Sequence, residues 1–588
     1  MTTRLRRTVQ GEEGFALLVV MGGMISLTLV VLATLAYVGN SLPVARAGQD
    51  SSAAVQAAQA GVDDFLARLA SCDSYWKVPC TTPDVNDAKL GWATVPLSSA
   101  AAPAQYHYEV VRNPDQEPGL LRLRSTGRVL RATGRSSKRT LVVDLRKKSL
   151  LEYIYYTDHE ASDPASLVRR YPARRNAIDP ALNNGYSTVD YAGVTPAEAA
   201  KCNRYWYATS TTSARNQSVV ESYKATKPDG TVLNSSSSYG CDIQFAPIDT
   251  LDGPLYSKDA ILVNGPLFKG LVSTRWAVGS SPAPNPAAPY RIISDVQSGS
   301  YKPAYSVEDV TLPPSNILIK DRTDAAKGGQ QGCGYTGPTR IVLRANGTMD
   351  VTSPLTTSTN APCTTGSAAA PNMTTAQNVP IPANGVIFVD ASTAACGPAS
   401  PKAFTPAVGD VTPYTCSAGD VFVEGVLSGR LTIAAKNDII TTASVTYKNG
   451  MTGSDVLGLI ADGDVAVYHP VQCTTAPAAG YACSDVSNVD VGLTNITVSA
   501  AILSVNHSFT VQNFDKGAKL GNLTVNGGLY QYFRGAVGTG GGGGTGYGKD
   551  YHYDPRLRSL PPPSFVDPVA APWGAAGYAE INNPPGLP

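Results

Sequence analysis

The sequence predicts an α+β protein in which a long N-terminal helix packs on a small antiparallel sheet and precedes a large all-β domain. Three observations carry this prediction. Residues 15–38 are uncharged and almost wholly apolar, residues 106–146 hold segments that alternate between apolar and polar side chains, and short β segments separated by Gly and Asn run from residue 251 to 535. A chain of 588 residues exceeds one ordinary hydrophobic core, so we expect more than one domain.

The apolar stretch 15–38 has the length that a helix needs to cross a bilayer, about 20 residues. Arg4, Arg6 and Arg7 precede it and predict a cytoplasmic N-terminus, so that the rest of the chain lies outside. The alternative is an ordinary secretory signal that is cleaved after the apolar region, near Ala45-Arg46-Ala47.

The helical pattern continues beyond the apolar stretch, through residue 72. Val55, Val62, Phe65 and Leu69 recur at helical spacing and form a narrow stripe that suits close packing against other helices. Pro43 is expected to kink this helix, because proline removes one backbone hydrogen bond.

The N-terminal residues resemble type IV prepilins. Gly14 followed by Phe15 is similar to the prepilin peptidase site, where a short charged leader ends in Gly and an aromatic residue opens the hydrophobic helix. The resemblance implies cleavage between Gly14 and Phe15 and methylation of the new amine. Most pilins carry Glu at the fifth mature position, whereas this chain has Val19. Pilin-like proteins without that Glu include PilX-type minor pilins and the tip pseudopilin of type II secretion.

Residues 106–146 predict the antiparallel sheet. Leu121 and Leu123 should face inward, while Arg122 and Arg124 should face water, which is the period of a half-buried strand. The run 150–160 is similar to PilX-type proteins with oversized heads.

From residue 251 the chain predicts an all-β domain, because strands of three to six residues follow one another without any pattern of helical length. Their spacing of roughly twenty residues indicates a right-handed β-solenoid, with a β-sandwich as the alternative. Residues 252–270 and 455–468 resemble β-helical domains that follow pilin-like N-termini on bacterial surface proteins.

The predicted boundaries follow these patterns. They are a leader at 1–14, a pilin-like helix at 15–72, a pilin-head sheet at 73–160, a loop-rich connection at 161–250, the solenoid-like domain at 251–535, and a Gly loop with a Pro-rich C-terminal strap at 536–588. We expect the strap to lie along the β domain and residues beyond about 568 to lack folded structure.

All ten cysteines follow the apolar stretch, which indicates disulfides in an oxidising exterior. None forms a C-x-x-C motif, and no His stands at zinc-finger spacing. Pairing of neighbours along the chain would give five bridges: Cys72–Cys80, Cys202–Cys241, Cys333–Cys363, Cys396–Cys416 and Cys473–Cys483.

The residues predict no catalytic, metal or cofactor site. Among the five histidines, His159 alone stands in an acidic group, Asp158-His159-Glu160, which we interpret as a solvated turn with an ion site as the alternative. A carbohydrate-active enzyme would need two or three carboxylates converging on one solenoid face. Asp438, Asp464 and Asp490 are isolated in the sequence.

These features together predict a non-enzymatic minor pilin-like subunit, located in the cytoplasmic membrane and in an extracellular filament. Its expected partners are other pilin subunits, prepilin peptidase, the membrane and, for the head, a surface or a glycan. Specific nucleic-acid binding is not expected, because 47 basic and 46 acidic residues leave no clustered positive face. The alternatives are a membrane-anchored surface protein outside any filament and a carbohydrate-active β-helix enzyme.

Overall fold

The structure is a computed structural model of the whole chain. It describes residues 13–72, 74–77, 87–96, 98–99, 102–113, 120–131, 136–147, 149–176, 185–205, 218–276, 290–306, 309–328, 331–395, 402–410, 412, 414–476, 481–483, 485–540, 544–566 and 573–581.

The described residues contain four α-helices, namely α1 (Glu13–Ser71), α2 (Pro164–Arg170), α3 (Pro196–Ala199) and α4 (Ile317–Lys320). The first strands are β1 (Ala93–Thr94), β2 (Ala104–Arg112), β3 (Leu120–Leu130), β4 (Ser136–Lys147), β5 (Tyr155–His159), β6 (Arg174–Asn176), β7 (Thr188–Tyr191), β8 (Ser218–Thr226), β9 (Val232–Gly240), β10 (Gln244–Phe245), β11 (Thr250–Asp252), β12 (Leu255–Ser257), β13 (Leu262–Asn264), β14 (Leu267–Phe268), β15 (Val272–Thr274), β16 (Arg291–Ser294) and β17 (Ala304–Tyr305).

The remaining strands are β18 (Cys333–Thr336), β19 (Thr339–Leu343), β20 (Thr348–Thr352), β21 (Gln377–Pro380), β22 (Val386–Asp390), β23 (Val421–Leu427), β24 (Arg430–Ala435), β25 (Ile439–Tyr447), β26 (Val456–Ala461), β27 (Val465–Val467), β28 (Val471–Cys473), β29 (Val486–Asn488), β30 (Thr497–Ser504), β31 (Phe509–Val511), β32 (Lys519–Phe533), β33 (Gly546–Tyr553) and β34 (Trp573–Ile581). The chain divides into two compact units, unit 1 (1–147 with 572–588) and unit 2 (148–571).

Unit 1 consists of α1 and an antiparallel sheet in the order β1-β2-β3-β4-β34. The second half of α1 packs on this sheet, and Val62, Phe65 and Leu69 share a buried cluster with Leu121 and Leu123. The arginines that alternate with these leucines lie on the other face of β3 and form ion pairs with carboxylates, Arg122 with Asp144 at 2.6 Å and Arg124 with Glu109 at 2.7 Å. The alternation predicted for β3 is therefore confirmed.

A glycine allows the backbones of α1 and β3 to approach each other. A Cβ atom on Gly127 would lie 2.0 Å from the Ala54 carbonyl oxygen and 2.4 Å from the Ala58 nitrogen. The Ser125 hydroxyl donates a 2.7 Å hydrogen bond to the Ala58 carbonyl oxygen across the same contact. The small residues of the stripe in α1 are therefore explained by packing on the sheet of the same unit.

The last described segment belongs to unit 1, although it follows unit 2 in the chain. Strand β34 pairs antiparallel with β4, from Trp573 opposite Lys147 to Ile581 opposite Thr140. The expectation that residues beyond about 568 lack folded structure is therefore wrong for 573–581. The physical reason is that an open strand edge supplies backbone partners to a segment whose own side chains would not specify a strand.

Unit 2 begins at residue 148, so the predicted pilin-head sheet at 73–160 is wrong for β5, which pairs parallel with β12 and β32. Unit 2 also contains elements that the sequence analysis assigned to loops. Strands β6–β9 form an antiparallel sheet that contains a hairpin of two nine-residue strands, β8 and β9, with Ser218 opposite Gly240 and Thr226 opposite Val232. The expected loop-rich connection is thus wrong for this part of 161–250. Most residues of β9 are exposed, so its polar side chains concealed the alternation that marks a half-buried strand.

Most pairings in the main sheet of unit 2 are parallel. One ladder runs β18-β22-β24-β26-β30-β32-β5-β12-β15-β17, and a second runs β19-β23-β25-β27-β31. Strand β20 pairs antiparallel with β19, and β21 pairs antiparallel with β20.

One column of buried side chains follows the first ladder from β18 to β15. Its members are Cys333, Ile387, Ile433, Leu459, Ile502, Leu529, Tyr155, Leu255 and Val272, each at most 3% exposed. The steps from Ile387 to Leu529 are longer than the twenty residues expected, so the spacing prediction is wrong for these strands. Backbone pairing fixes each strand's register but allows loops of different lengths between strands.

Three of the predicted disulfides lie within the described residues, Cys202–Cys241, Cys333–Cys363 and Cys473–Cys483, and the structure pairs them as predicted. Cys72 and Cys416 are also disulfide-bonded. Their predicted partners, Cys80 and Cys396, lie outside the described residues.

Residues 560–566 lie against the β domain. The Pro561 carbonyl accepts a 2.9 Å hydrogen bond from Arg430, and the Pro563 carbonyl accepts one from the Thr432 hydroxyl. The Phe565 ring lies 6.0 Å from that of Tyr530, and a Cβ on Gly458 would lie 3.0 Å from Phe565. The glycine therefore leaves room for this segment.

The close approach at Gly127 leads to a stability prediction. We expect Gly127→Val to lower the free energy of unfolding of unit 1 by about 3 kcal/mol, the upper end of the usual range for overpacking, because the contacts are backbone atoms that cannot rotate away. Urea unfolding followed by circular dichroism measures this. Gly91→Ala is the control, since a Cβ there meets nothing within 4 Å. Equal stability of the two variants would contradict the close approach.

Candidate functional site

The first half of α1 is apolar and exposed. Leu17–Gly39 spans 23 residues with a mean hydropathy of 2.4, and none of it is buried in the protein. Among the described residues it is the one helix long and apolar enough to cross a membrane. The hydroxyls of Ser26 and Thr28 donate to carbonyls four residues earlier, so these polar groups are satisfied within the helix. The segment thus has the length and composition that membrane anchors and signal sequences share.

The residues predicted to pack between subunits fall into two groups. Val19 is 58% exposed within the apolar segment, and Val55 is half-buried. Val62, Phe65 and Leu69 are buried against the sheet of their own unit. The prediction that these three contact other helices is therefore wrong, because a side chain without exposed surface has nothing left to offer a second subunit.

The predicted processing site lies in α1, which begins at Glu13 and includes Gly14 and Phe15. The side chains of these residues lie outside the described part of the structure.

Asp158, His159 and Glu160 are buried at the end of β5, so their interpretation as a solvated turn is wrong. Asp158 accepts a hydrogen bond from the Tyr205 hydroxyl and lies 3.7 Å from the Lys258 Nζ atom. The His159 ring stacks on Tyr205 with 4.2 Å between the ring centroids, and burial lowers the pKa of the imidazole. Glu160 turns to a different partner, so the three side chains do not converge on one ion.

That partner is Arg534, which is buried together with Glu160. The Arg534 Nη1 atom donates a 2.7 Å hydrogen bond to Glu160 Oε2, and Nη2 donates to the Gln244 carbonyl oxygen at 3.0 Å. The guanidinium carbon lies 3.6 Å from the ring centroid of Phe245, a cation–π contact. The pair joins residues that stand 374 positions apart in the chain.

A second buried pair lies in the same region. The Lys549 Nζ atom donates a 2.8 Å hydrogen bond to Asp249, and burial lowers the pKa of the lysine. Taking such charges out of water costs several kcal/mol each, so the pairs are tolerated only because both partners are present with good geometry.

Carboxylates also line the second ladder of unit 2. Asp420 accepts a hydrogen bond from the backbone N–H of Asp438 at 3.2 Å, and Asp438 accepts one from the N–H of Asp464 at 2.8 Å. Asp464 continues the series by accepting from the N–H of Ser508 at 3.0 Å. Burial and the adjacent carboxylates of Asp464 and Asp420 raise the pKa of Asp438 to about 7. Each carboxylate thus caps the backbone of the next strand, which is a structural arrangement.

The end of this series forms an acidic group with an imidazole. Ligand atoms of Asp163, Asp464 and His507 lie within 4.8 Å of one another. The His507 Nδ1 atom is 2.9 Å from Asp163 Oδ2, and this hydrogen bond raises the pKa of the imidazole. Arg169 forms an ion pair with Asp464. Because these groups neutralise one another, the cluster fastens α2 to the ladder and provides no argument for a metal ion.

Beside this group lies a cavity of about 20 Å³, the size of a single water molecule. Asp163, Ser508 and Arg534 line it. The Ser508 hydroxyl and the Arg534 Nε atom have no hydrogen-bond partner among the described residues. A space this small admits no substrate.

The sequence analysis missed Arg534, Lys549 and Asp249. Charged residues beside strands are usually solvated, so their burial carries no local signal. Their partners become adjacent only when distant strands pair, and no spacing in the sequence announces that.

No protein-family model, no curated protein and no solved structure matches the chain.

The buried pair leads to a second stability prediction. We expect Arg534→Met to lower the stability of unit 2 by about 3–5 kcal/mol, because it leaves the Glu160 carboxylate buried without a counter-charge. Thermal unfolding measures the loss. The double variant Glu160→Gln/Arg534→Met should recover part of it, since the uncompensated charge is then removed.

Lys302→Met is the matched control. It breaks an exposed ion pair with Asp295, in which the lysine side chain is 61% accessible, and should change stability by less than about 1 kcal/mol. If Arg534→Met and Lys302→Met lower the stability by equally small amounts, the buried pair does not hold the strands together.

Proposed function

We propose that the protein is a non-enzymatic minor pilin-like subunit of a type IV filament, which acts in filament assembly or adhesion. The observation that carries this proposal is the continuity of α1. One helix of 59 residues, about 90 Å long, combines an exposed apolar half with a half that is packed in the core of unit 1. A cleaved signal peptide needs no such continuation into a folded core.

The proposed mechanism divides the helix into two working parts. The apolar half is stored in the cytoplasmic membrane and then drawn into a bundle of helices by van der Waals packing. The packed half holds the sheet of unit 1 at the end of that bundle. Partners on this side are other pilin subunits, prepilin peptidase and the membrane itself.

For unit 2 we propose the form of a right-handed β-solenoid. Two parallel ladders, the first of which contains the buried column from Cys333 to Val272, support this form. A β-sandwich would be built mainly from antiparallel strands. The parallel pairing therefore favours the solenoid. Such a head would present hydroxyl-rich strand faces to a surface, a glycan or another subunit outside the cell.

The position of Val19 favours the tip of the filament. In the resembled family a Glu at this place pairs with the terminal amine of a neighbouring subunit. Val19 has no charge to offer, and its side chain is exposed in an almost wholly apolar segment. A subunit with no neighbour ahead of it loses nothing by this absence. A large head repeated along a shaft would also crowd its neighbours.

A membrane-anchored surface protein outside any filament is the second candidate function. The anchor-like segment by itself supports both functions equally, so the experiments below separate them. A carbohydrate-active enzyme receives no support from Asp420, Asp438 and Asp464, since each of these carboxylates caps a backbone N–H group.

We predict that the mature protein begins at Phe15, because Gly14 ends a charged leader immediately before the apolar helix. Intact mass of the membrane-extracted protein measures this start. Gly14→Leu should block maturation but leave membrane insertion intact, whereas Gly22→Leu, a change within the apolar segment, should be processed normally. A start near Ala47 would remove the pilin-like function and the anchor together.

We further predict a few copies per filament, concentrated at the distal end. Immunogold labelling of sheared filaments with antibodies against unit 2 tests this location, and labelling of the major subunit serves as the reference for the shaft. Dense, even labelling along the shaft would exclude a tip subunit. Complete retention in the membrane fraction, with a mature start at Phe15, would favour an anchored surface protein.

A further inference from the structure

Strand β34 is held in unit 1 almost entirely by its backbone. It pairs with β4 along one edge, while residues 574–580 are all exposed. Trp573 is the member of the strand that packs against the buried cluster of unit 1. Gly574 and Gly577 contribute no side-chain packing, and the register shifts between Ala575 and Gly577. The strand therefore adds little buried apolar surface to the sheet.

Strand β4 does not depend on β34 in the same way. Leu141, Val143 and Leu145 are buried in the cluster that α1 and β3 also form. β4 pairs with β3 over its full length, from Ser136 opposite Leu130 to Arg146 opposite Leu120. The sheet β1–β4 with α1 thus has its own core, and the outer edge of β4 is a preformed template for one more strand.

Because β34 follows β4 in the chain, the outer edge of β4 is unpaired at one stage of synthesis in every copy. β4 ends at Lys147, whereas β34 begins at Trp573, after the whole of unit 2. The edge of β4 is complete before its own partner strand has been made. During that interval it can pair with any strand of matching register.

We propose that the outer edge of β4 is a strand-acceptor site, and that its occupant, residues 573–581, exchanges with the same segment of a second copy of this chain. The second copy is the fitting partner because it supplies the same register and the same charge pairing, Arg139 with Glu580 at 3.7 Å. Exchange of an identical element preserves every contact at little cost. Main-chain pairing at a sheet edge provides the affinity.

Concentration decides how much exchange occurs. The chain's own strand competes at an effective concentration in the millimolar range. Exchange is therefore favoured where copies are crowded, as they are when anchored side by side in a membrane. The exchanged pair is a dimer in which each subunit completes the sheet of the other. This inference does not rest on the filament assignment, since anchored copies in any membrane would meet in the same way.

Two variants, each with one cysteine added to the native disulfide-bonded ones, test the exchange. Val142 and Ala579 are opposite each other in the register of β4 and β34. The full-length variants Val142→Cys and Ala579→Cys, each carrying a different tag, are reconstituted together in phospholipid vesicles and mildly oxidised. We expect a disulfide-linked dimer that contains both tags, with the 142–579 linkage identified by mass spectrometry after digestion.

The control measures random collision. Val142→Cys is mixed with Ser236→Cys, whose cysteine lies on the exposed strand β9 of unit 2. The 142–579 dimer should exceed this background on the order of 10-fold, and its yield should rise with the number of copies per vesicle.

The double variant Val142→Cys/Ala579→Cys tests whether β34 pairs with β4 of its own chain in the stated register. Closure within one chain demonstrates that the resident pairing is correct. If the double variant closes and the mixed single variants link no better than the collision control, the strand is permanent and the proposal is overturned. Failure of the double variant to close would overturn it as well, because the acceptor edge would then not bind this segment. Neither result bears on the mature N-terminus or on location in a filament.

Discussion

Strand β5 lies between β32 and β12, and unit 2 depends on this placement. The strands 333–533 form one stack and the strands 250–305 form another. β5 joins them along the first ladder, and β33 joins them by pairing with both β32 and β11. Without these two strands each stack would end in an open edge, which is a template for aggregation. The buried column continues through the junction because Tyr155 lies between Leu529 and Leu255.

The ion pair of Arg534 and Glu160 belongs to this junction. It is buried beside the end of β5, and a buried pair of charges adds little net stability compared with apolar residues of similar volume. Its effect lies in selection among arrangements. Any misplacement of β5 leaves at least one charge buried alone, which costs several kcal/mol.

Unit 1 obeys a different constraint, the close approach of helix and sheet at Gly127. The residues at this approach, Gly127, Ala54 and Ala58, are small, and Val62, Phe65 and Leu69 of the stripe have no exposed surface left for other subunits. The exposed apolar segment of the helix is thus the part that remains for a membrane or for other helices. Insertion of unit 2 between β4 and β34 also means that the sheet of unit 1 is completed by a segment made last among its strands.

Features that depend on composition and local periodicity were predictable from the sequence. The apolar segment, the alternation of Leu121 and Leu123 with Arg122 and Arg124, and the strand-rich character beyond residue 251 were predictable, because each follows from neighbouring residues. Three disulfides have the pairing that was predicted, but the sequence alone leaves the connectivity of ten cysteines open. The surface against which the stripe of α1 packs was not predictable, since packing within a unit and packing between subunits require the same kind of apolar side chains. The tertiary structure alone decided that β5 joins two stacks, that β34 returns to the first sheet, and that Arg534 meets Glu160. Parallel and edge-strand pairings are made by backbone groups, which every residue except proline carries, so sequence spacing holds no record of which strands will meet.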